Sequence, residues 1–124
     1  MIEVWHLKDN ITRDQRAELT WISDDKDLLA VVRAWKEHLY EKVAEVATDD
    51  LEYAWQLTNN IESSWSMEPS PLVTVTAPLY VINGQTYGRK SSAVGDVFVQ
   101  DGVAYVVASI GMKRLPIAQG EMAV

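Results

Sequence analysis

The chain of 124 residues contains no cysteine, one phenylalanine and no apolar run approaching the roughly 18 residues that a membrane-spanning helix requires. The lack of cysteine excludes a disulfide framework, a thiol nucleophile and thiolate metal ligands. Charges interrupt residues 1–9, so we expect a strand there rather than a signal peptide. These absences favour a cytoplasmic protein that does not contact a membrane.

Basic residues are also scarce, since 11 lysines and arginines stand against 18 aspartates and glutamates, which gives a net charge of −7. All of the excess acidity lies in residues 14–68, where 13 acidic residues stand against 5 basic ones. With 48% apolar residues the chain can bury a core of its own, and its length fits one domain. We expect a single α+β domain over residues 1–116 and a flexible C-terminal tail over 117–124.

Two dipeptides predict β-hairpins. Asp101-Gly102 lies between two apolar runs and Asn83-Gly84 lies within residues 79–87, and both supply the positive φ angles of a type I′ turn. Pairing outward from the first turn places Phe98 opposite Tyr105 and leaves apolar side chains on both faces. We therefore expect this hairpin at the centre of a sheet, covered on both sides.

The remaining elements follow from capping residues and apolar spacing. Thr12 and Gln15 form a capping box before a short helix, and apolar residues at three- and four-residue steps predict the longest helix over 25–47. A third helix should begin at Asp49 and end at Asn59-Asn60. Together with strands over 2–7, 72–76 and 109–115, the last with a bulge at Gly111, these predict an antiparallel sheet of about six strands with about three helices packed on one face.

One series of short segments resembles a known group of proteins. The series is Thr58-Asn59-Asn60-Ile61, Trp65, Lys90-Ser91-Ser92-Ala93-Val94-Gly95-Asp96-Val97, Asp101-Gly102 with Tyr105, and Ile110-Gly111-Met112. It resembles small uncharacterised proteins of bacteriophages, actinobacterial genomes and conjugative elements, whose pattern is TNxID…W…StSVGDv…Gly-Phe. Ala93 stands where the group has serine and Met112 where it has phenylalanine. The resemblance implies an origin on a mobile element and carries no activity.

Two sets of residues are candidates for a catalytic or metal site. His38, Glu41 and Glu45 would share one face of the predicted long helix, but a single imidazole among exposed carboxylates is an incomplete zinc site. Ser92 precedes Asp96 by four residues, yet the sequence shows no base beside it and no nucleophile motif. We expect a solvated face in the first case and hydroxyl and carboxylate caps on backbone amides in the second. The sequence therefore predicts a protein without catalytic residues, metal or cofactor.

An acidic helix face and a loop tryptophan indicate a binding surface for another protein. Glu37, Glu41 and Glu45 belong to the face, which could also imitate the phosphates of DNA. Trp65 is either packed over the central hairpin or an anchor at an interface, because a tryptophan buries a large area on binding. The leading interpretation is a non-enzymatic accessory protein of a phage or mobile element that binds a host protein, such as a defence or nucleic-acid-processing factor.

A second interpretation is a small nucleic-acid-binding domain. Arg89, Lys90, Lys113 and Arg114 flank the β-rich half beside several aromatic residues, a combination that suits stacking on bases and contact with phosphates. The same cations could instead discourage pairing at the sheet edges. The negative net charge disfavours the nucleic-acid interpretation, and the sequence does not indicate an oligomeric state.

Overall fold

The computed structural model describes residues 1–117 as one six-stranded antiparallel sheet, one separate two-stranded sheet and three helices. The predicted α+β class is confirmed. The order of the large sheet is β3-β2-β1-β6-β7-β8. The elements are β1 (Ile2–Leu7), α1 (Arg13–Glu18), α2 (Asp25–Lys36), β2 (Tyr40–Val46), α3 (Leu51–Leu57), β3 (Val73–Val75), β4 (Tyr80–Ile82), β5 (Gln85–Tyr87), β6 (Val97–Gln100), β7 (Val103–Val107) and β8 (Met112–Arg114).

The C-terminal tail expected over 117–124 lies, apart from Ile117, outside the described residues. Ile117 packs against the core. No helix within residues 1–117 has the length and apolar character needed to cross a membrane.

Both hairpins form as predicted. Phe98 pairs with Tyr105 across β6 and β7, and Tyr80 pairs with Tyr87 across β4 and β5. The turn residues have positive φ angles throughout: Asn83 52°, Gly84 78°, Asp101 51° and Gly102 75°. Local turn chemistry therefore determined both registers.

The large sheet separates two hydrophobic cores, so the helices do not all pack on one face. Val97 belongs to the core formed with α2 and with Leu19 and Ile22 after α1, whereas its neighbour Phe98 belongs to the core formed with α3. Successive strand residues point to opposite faces, so a strand with apolar residues at both positions can serve two cores. The cover on both faces is as expected, but the expectation that all helices pack on one face was wrong, because α3 and not only loops or strands covers the second apolar face.

The helix predicted over 25–47 is wrong in its second half, because α2 ends in a Schellman motif. The N–H of His38 donates to the carbonyl of Trp35 at 3.1 Å. The N–H of Leu39 donates to the carbonyl of Ala34, also at 3.1 Å. His38 has a φ of 60°, the left-handed position that glycine usually occupies. The usual sequence signal for the end of a helix is therefore missing.

An irregularity in β2 also imitates helical spacing. Val4 pairs with Ala44 and Trp5 pairs with Lys42, so Val43 is an additional residue in the strand. Such a bulge puts consecutive residues on the same side and changes the apolar spacing from two to three residues or more. Val43 and Ala44 are both fully buried in the α3 core. The apolar spacing of this bulged strand therefore resembles the spacing of an amphipathic helix.

Two smaller predictions also need correction. The N-cap of α3 is Asp50 and not Asp49. The carboxylate of Asp50 accepts from the N–H groups of Glu52 and Tyr53. Gly111 lies in a turn and not in a bulge: its carbonyl accepts from the N–H of Ala108 at 2.9 Å, and the chain reverses into β8.

Candidate functional site

The three glutamates predicted as one acidic helix face do not lie together on a helix. Glu37 is exposed at the C-cap of α2, whereas Glu41 and Glu45 lie in β2. Glu45 forms an ion pair with Lys42. The acidic surface expected from these residues is therefore wrong, since it depended on a helix that ends before Glu41.

Glu41 instead neutralises a cation from the predicted nucleic-acid rim. The guanidinium of Arg89 is buried, forms an ion pair with Glu41 and donates to the carbonyl of Pro78 at 3.0 Å. It also lies 4.6 Å from the centre of the Tyr80 ring, within range of a cation–π contact. Glu41, predicted for the acidic surface, and Arg89, predicted for the nucleic-acid rim, therefore pair with each other, and neither charge is free to bind a partner.

The remaining cations of the predicted rim form no common patch. Lys90 donates to the carbonyl of Leu7 at the end of β1, at 3.2 Å. Lys113 lies in the edge strand β8 and donates to the carbonyl of Ser23 at 2.8 Å, beside the exposed Arg114. Since β6 and β7 lie between β1 and β8, the four cations are divided between two places.

Trp65 is a core residue. Its side chain is 3% exposed, and its indole N–H donates to the carbonyl of Lys90 at 2.8 Å. The ring stands edge-on to His6, with 6.1 Å between the ring centres. Of the two alternatives for Trp65, the structure places it in the core, where a partner cannot reach it without unfolding. Trp21, by contrast, is exposed.

A buried polar cluster joins residues that are far apart in the sequence. The side chain of His6 is fully buried, and its Nε2 lies 2.9 Å from Oγ of Ser92 and 3.8 Å from Oδ2 of Asp96. Oγ of Ser92 is in turn 2.7 Å from Oγ1 of Thr58, which lies 3.0 Å from the carbonyl of Ala54. No local sequence pattern indicates that His6 and Ser92 meet, because 86 positions separate them.

The direction of this hydrogen-bond chain follows from its last acceptor. The Ala54 carbonyl can only accept, so Thr58 donates to it and accepts from Ser92. Ser92 has then used its hydrogen and must accept from Nε2–H of His6. This assigns the Nε2–H tautomer and leaves Nδ1, which has no hydrogen-bond partner within residues 1–117, as an unprotonated acceptor.

Burial shifts the two ionisable groups of the cluster in opposite directions. Burial, aided by the positive charges of Lys90 and Arg89, lowers the pKa of His6 to about 3. Burial raises the pKa of Asp96 to about 6, although the N–H groups of Leu7 and Ala93 oppose the rise by donating to its carboxylate. His6 is therefore neutral and Asp96 mainly ionised at pH 7.

The cluster lacks the features of a nucleophilic centre. In a serine–histidine–aspartate triad the serine and the carboxylate bind opposite nitrogens of the imidazole, whereas Ser92 and Asp96 both face Nε2 of His6. The hydroxyl hydrogen of Ser92 points to Thr58, and an imidazole with a pKa near 3 is a weak base. The arrangement can hold backbone segments together but is poorly suited to activate the hydroxyl.

The expected capping role of Asp96 is confirmed. Its two oxygens accept from the N–H groups of Leu7 in β1 and Ala93 in its own loop, at 3.0 and 2.8 Å. Ser91 acts similarly on the other side of the loop, where its Oγ accepts from the N–H of Asn60 at 2.8 Å. These bonds fix the segment that leads into β6.

Several residues from the first half of the TNxID…W…StSVGDv pattern meet at this junction. The side chain of Asn60 accepts from the N–H of Trp65 at 3.0 Å and donates to the carbonyl of Arg89, also at 3.0 Å. Thr58 and Ser92 belong to the buried chain described above. These residues form a polar junction between the end of α3 and the loop before β6.

The β4–β5 hairpin, residues 80–87 and hereafter the arm, is the most exposed ordered element. Val81 and Ile82 are neighbours in β4, so their side chains point to opposite faces, yet they are 68% and 57% exposed. Tyr87 is also exposed. Because neither face is covered, the arm stands clear of the body of the described structure.

The arm is held at its base. The hydroxyl of Tyr80 donates to Oδ2 of Asp9 at 2.7 Å, and the Tyr80 ring lies under the guanidinium of Arg89. Burial and the hydrogen bond to Asp9 raise the pKa of Tyr80 to about 12, so the hydroxyl remains a donor under ordinary conditions. A two-stranded hairpin is marginal by itself, so these contacts to Asp9 and Arg89 are what fix its orientation.

No group of three or more histidine, aspartate or glutamate side chains in residues 1–117 is placed to hold a metal ion.

Comparisons with protein-family models, curated proteins and solved structures find no match to this chain.

Proposed function

We propose that this protein acts in the host cytoplasm as a non-enzymatic accessory protein of a phage or mobile element, and that it binds a host protein through the arm. The observation that carries the proposal is the exposure of Val81 and Ile82 on opposite faces of an anchored hairpin. Apolar side chains that contribute nothing to the cores are typical of interaction sites when they are grouped on one element.

The arm also supports a particular mode of contact. Within the described chain, β4 and β5 pair only with each other, so their outer edges have unpaired backbone groups. An unpaired edge flanked by apolar side chains is suited to an extended segment or a sheet edge of a partner. The partner would add a strand through main-chain hydrogen bonds and cover Val81 or Ile82 with apolar residues.

The nucleic-acid interpretation has less support. Arg89 is buried against Glu41, and the other three cations are divided between the two sides of β6–β7. Affinity for nucleic acid depends on several phosphate contacts made together, and a dispersed set under a net charge of −7 provides few of them.

The test is quantitative capture from nuclease-treated host lysate by immobilised protein. Replacing both Val81 and Ile82 by serine should reduce the captured host protein at least tenfold, because the apolar contact is lost while the cores are untouched. The matched control replaces Leu29 and Ile110, two exposed aliphatic residues outside the arm, by serine. This control should capture as much of the host protein as the wild type does.

Equal capture by both variants would overturn the role of the arm. Micromolar binding of single-stranded RNA or DNA at physiological salt, lost when Lys113 and Arg114 are replaced by alanine, would overturn the protein-binding function itself.

A further inference from the structure

A cavity of about 710 Å³ lies between α3 and the β7–β8 end of the sheet. Its apolar walls include Leu51 and Trp55 from α3, and Val107 and Met112, which pair across β7 and β8. The volume is within the range of about 300–1,000 Å³ that small-molecule sites occupy. The arm contributes no residue to it, so this site is separate from the proposed protein contact.

The cavity lies at the edge of the α3 core. Val107 is a buried member of this core, and Met112 packs against it. The polar junction forms a further wall, where Ser92 lines the cavity. Because hydrogen bonds to Thr58 and His6 hold Ser92, this wall is built before any ligand arrives.

The one charge in the described lining of the cavity favours a positively charged ligand. Glu52 is the one charged side chain among the described residues that line the cavity, and it is exposed at the rim. Oγ of Ser92 already donates to Thr58 and accepts from His6, so its remaining capacity is to accept. An indole ring such as that of Trp55 also attracts cations to its face.

We propose that this cavity binds a small organic amine, with its apolar group between Trp55 and Met112 and its ammonium group toward Glu52. Charge complementarity selects this occupant over carboxylates, which Glu52 repels. A neutral molecule of the same shape binds through the apolar walls alone.

Tryptamine, 3-ethylindole and indole-3-propionate provide cationic, neutral and anionic probes of similar shape. In ¹H–¹⁵N NMR titrations of the full chain, tryptamine should shift the amides of Trp55, Val107 and Met112 with a Kd on the order of 1 mM or tighter. The anion should bind at least tenfold more weakly. Absence of shifts at these residues, or equal binding of the anion, would contradict the proposal.

Three variants localise the effect. Glu52→Gln should weaken the binding of tryptamine severalfold and leave the binding of 3-ethylindole unchanged. The control Glu62→Gln changes an exposed acid outside the cavity and should leave the affinity for both compounds unchanged. Ala93→Trp fills the cavity from an exposed lining position and should abolish the binding of both compounds. Tryptamine binding that is indifferent to Glu52→Gln and Ala93→Trp would place the amine elsewhere and overturn the assignment.

Discussion

At the scale of single residues, His38 occupies a left-handed backbone position that glycine adopts more easily. Its φ of 60° places a side chain in the left-handed region, which costs about 1 kcal/mol for residues other than glycine. The side chain is exposed and contributes nothing to either core. The Schellman motif after α2 is therefore maintained by the surrounding packing and not by His38 itself.

His38→Gly should raise the free energy of unfolding by about 0.5–1 kcal/mol, because glycine adopts this conformation without strain. His38→Ala keeps the Cβ and serves as the control, with no gain expected. Urea denaturation of the three proteins measures the difference. A glycine variant no more stable than the alanine variant would argue against the left-handed helix end.

The buried pair His6 and Asp96 predicts a specific dependence of stability on pH. The lowered pKa of His6 means that the unfolded chain gains a proton below pH 6.5 and the folded chain only near 3, so stability falls on acidification through this window. The raised pKa of Asp96 has the opposite sign: the folded chain gains a proton near pH 6, before the unfolded chain does near 3.8, so stability rises on acidification.

Asp96→Asn removes the opposing contribution. Between pH 6 and 4 the free energy of unfolding of this variant should fall more steeply than that of the wild type, by more than about 1 kcal/mol over the interval. His6→Gln should change the slope in the other direction, with a smaller loss on acidification than in the wild type. Parallel pH profiles for all three proteins would contradict the assigned shifts.

At the scale of elements, the arm depends on the ion pair beneath it between Arg89, whose side chain is buried, and Glu41, whose side chain is 34% exposed. Arg89 contacts Glu41 in β2, Tyr80 in β4 and the carbonyl of Pro78, so one side chain connects the arm to the large sheet. Removing one partner of a buried pair leaves an uncompensated charge and costs about 3–5 kcal/mol in measured cases.

Glu41→Gln should therefore destabilise the protein by roughly 3 kcal/mol and speed hydrogen exchange of the arm amides. Glu45→Gln is the matched control in the same strand. Glu45 is about as exposed as Glu41, but its partner Lys42 is 27% exposed whereas Arg89 is 5% exposed, so removal of Glu45 leaves no buried charge and should cost less than about 1 kcal/mol. If the two variants lost equal stability, or the arm amides exchanged at the wild-type rate in Glu41→Gln, the arm would not depend on this anchor.

The elements also explain which predictions succeeded. The hairpins at Asn83-Gly84 and Asp101-Gly102 were predictable because their registers depend on the turn residues themselves. β2 was not, because its bulge at Val43 imitates helical spacing and the preceding helix ends at a histidine instead of a glycine. The buried contact of His6 with Ser92 was unpredictable for another reason: it depends on the tertiary arrangement of β1 beside the loop before β6.

At the scale of the whole molecule, the charge distribution inferred from the sequence does not become two opposing surfaces. Glu41 and Arg89 neutralise each other, and Trp65 is enclosed in the α3 core. The described structure instead presents the arm as its most exposed apolar element, fixed to a body whose two cores share one sheet. The contacts of Arg89 fix the arm before binding, which reduces the entropy lost when a partner covers Val81 or Ile82.

The most direct test of this account is hydrogen–deuterium exchange of the wild-type protein with and without the captured host protein. Partner binding should slow exchange of the amides in residues 80–87, because added main-chain hydrogen bonds protect an edge that is otherwise open. The amides of α1, α2 and β8 should exchange unchanged. Protection confined to those elements, with exchange in the arm unaltered, would contradict the claim that the arm is the binding element.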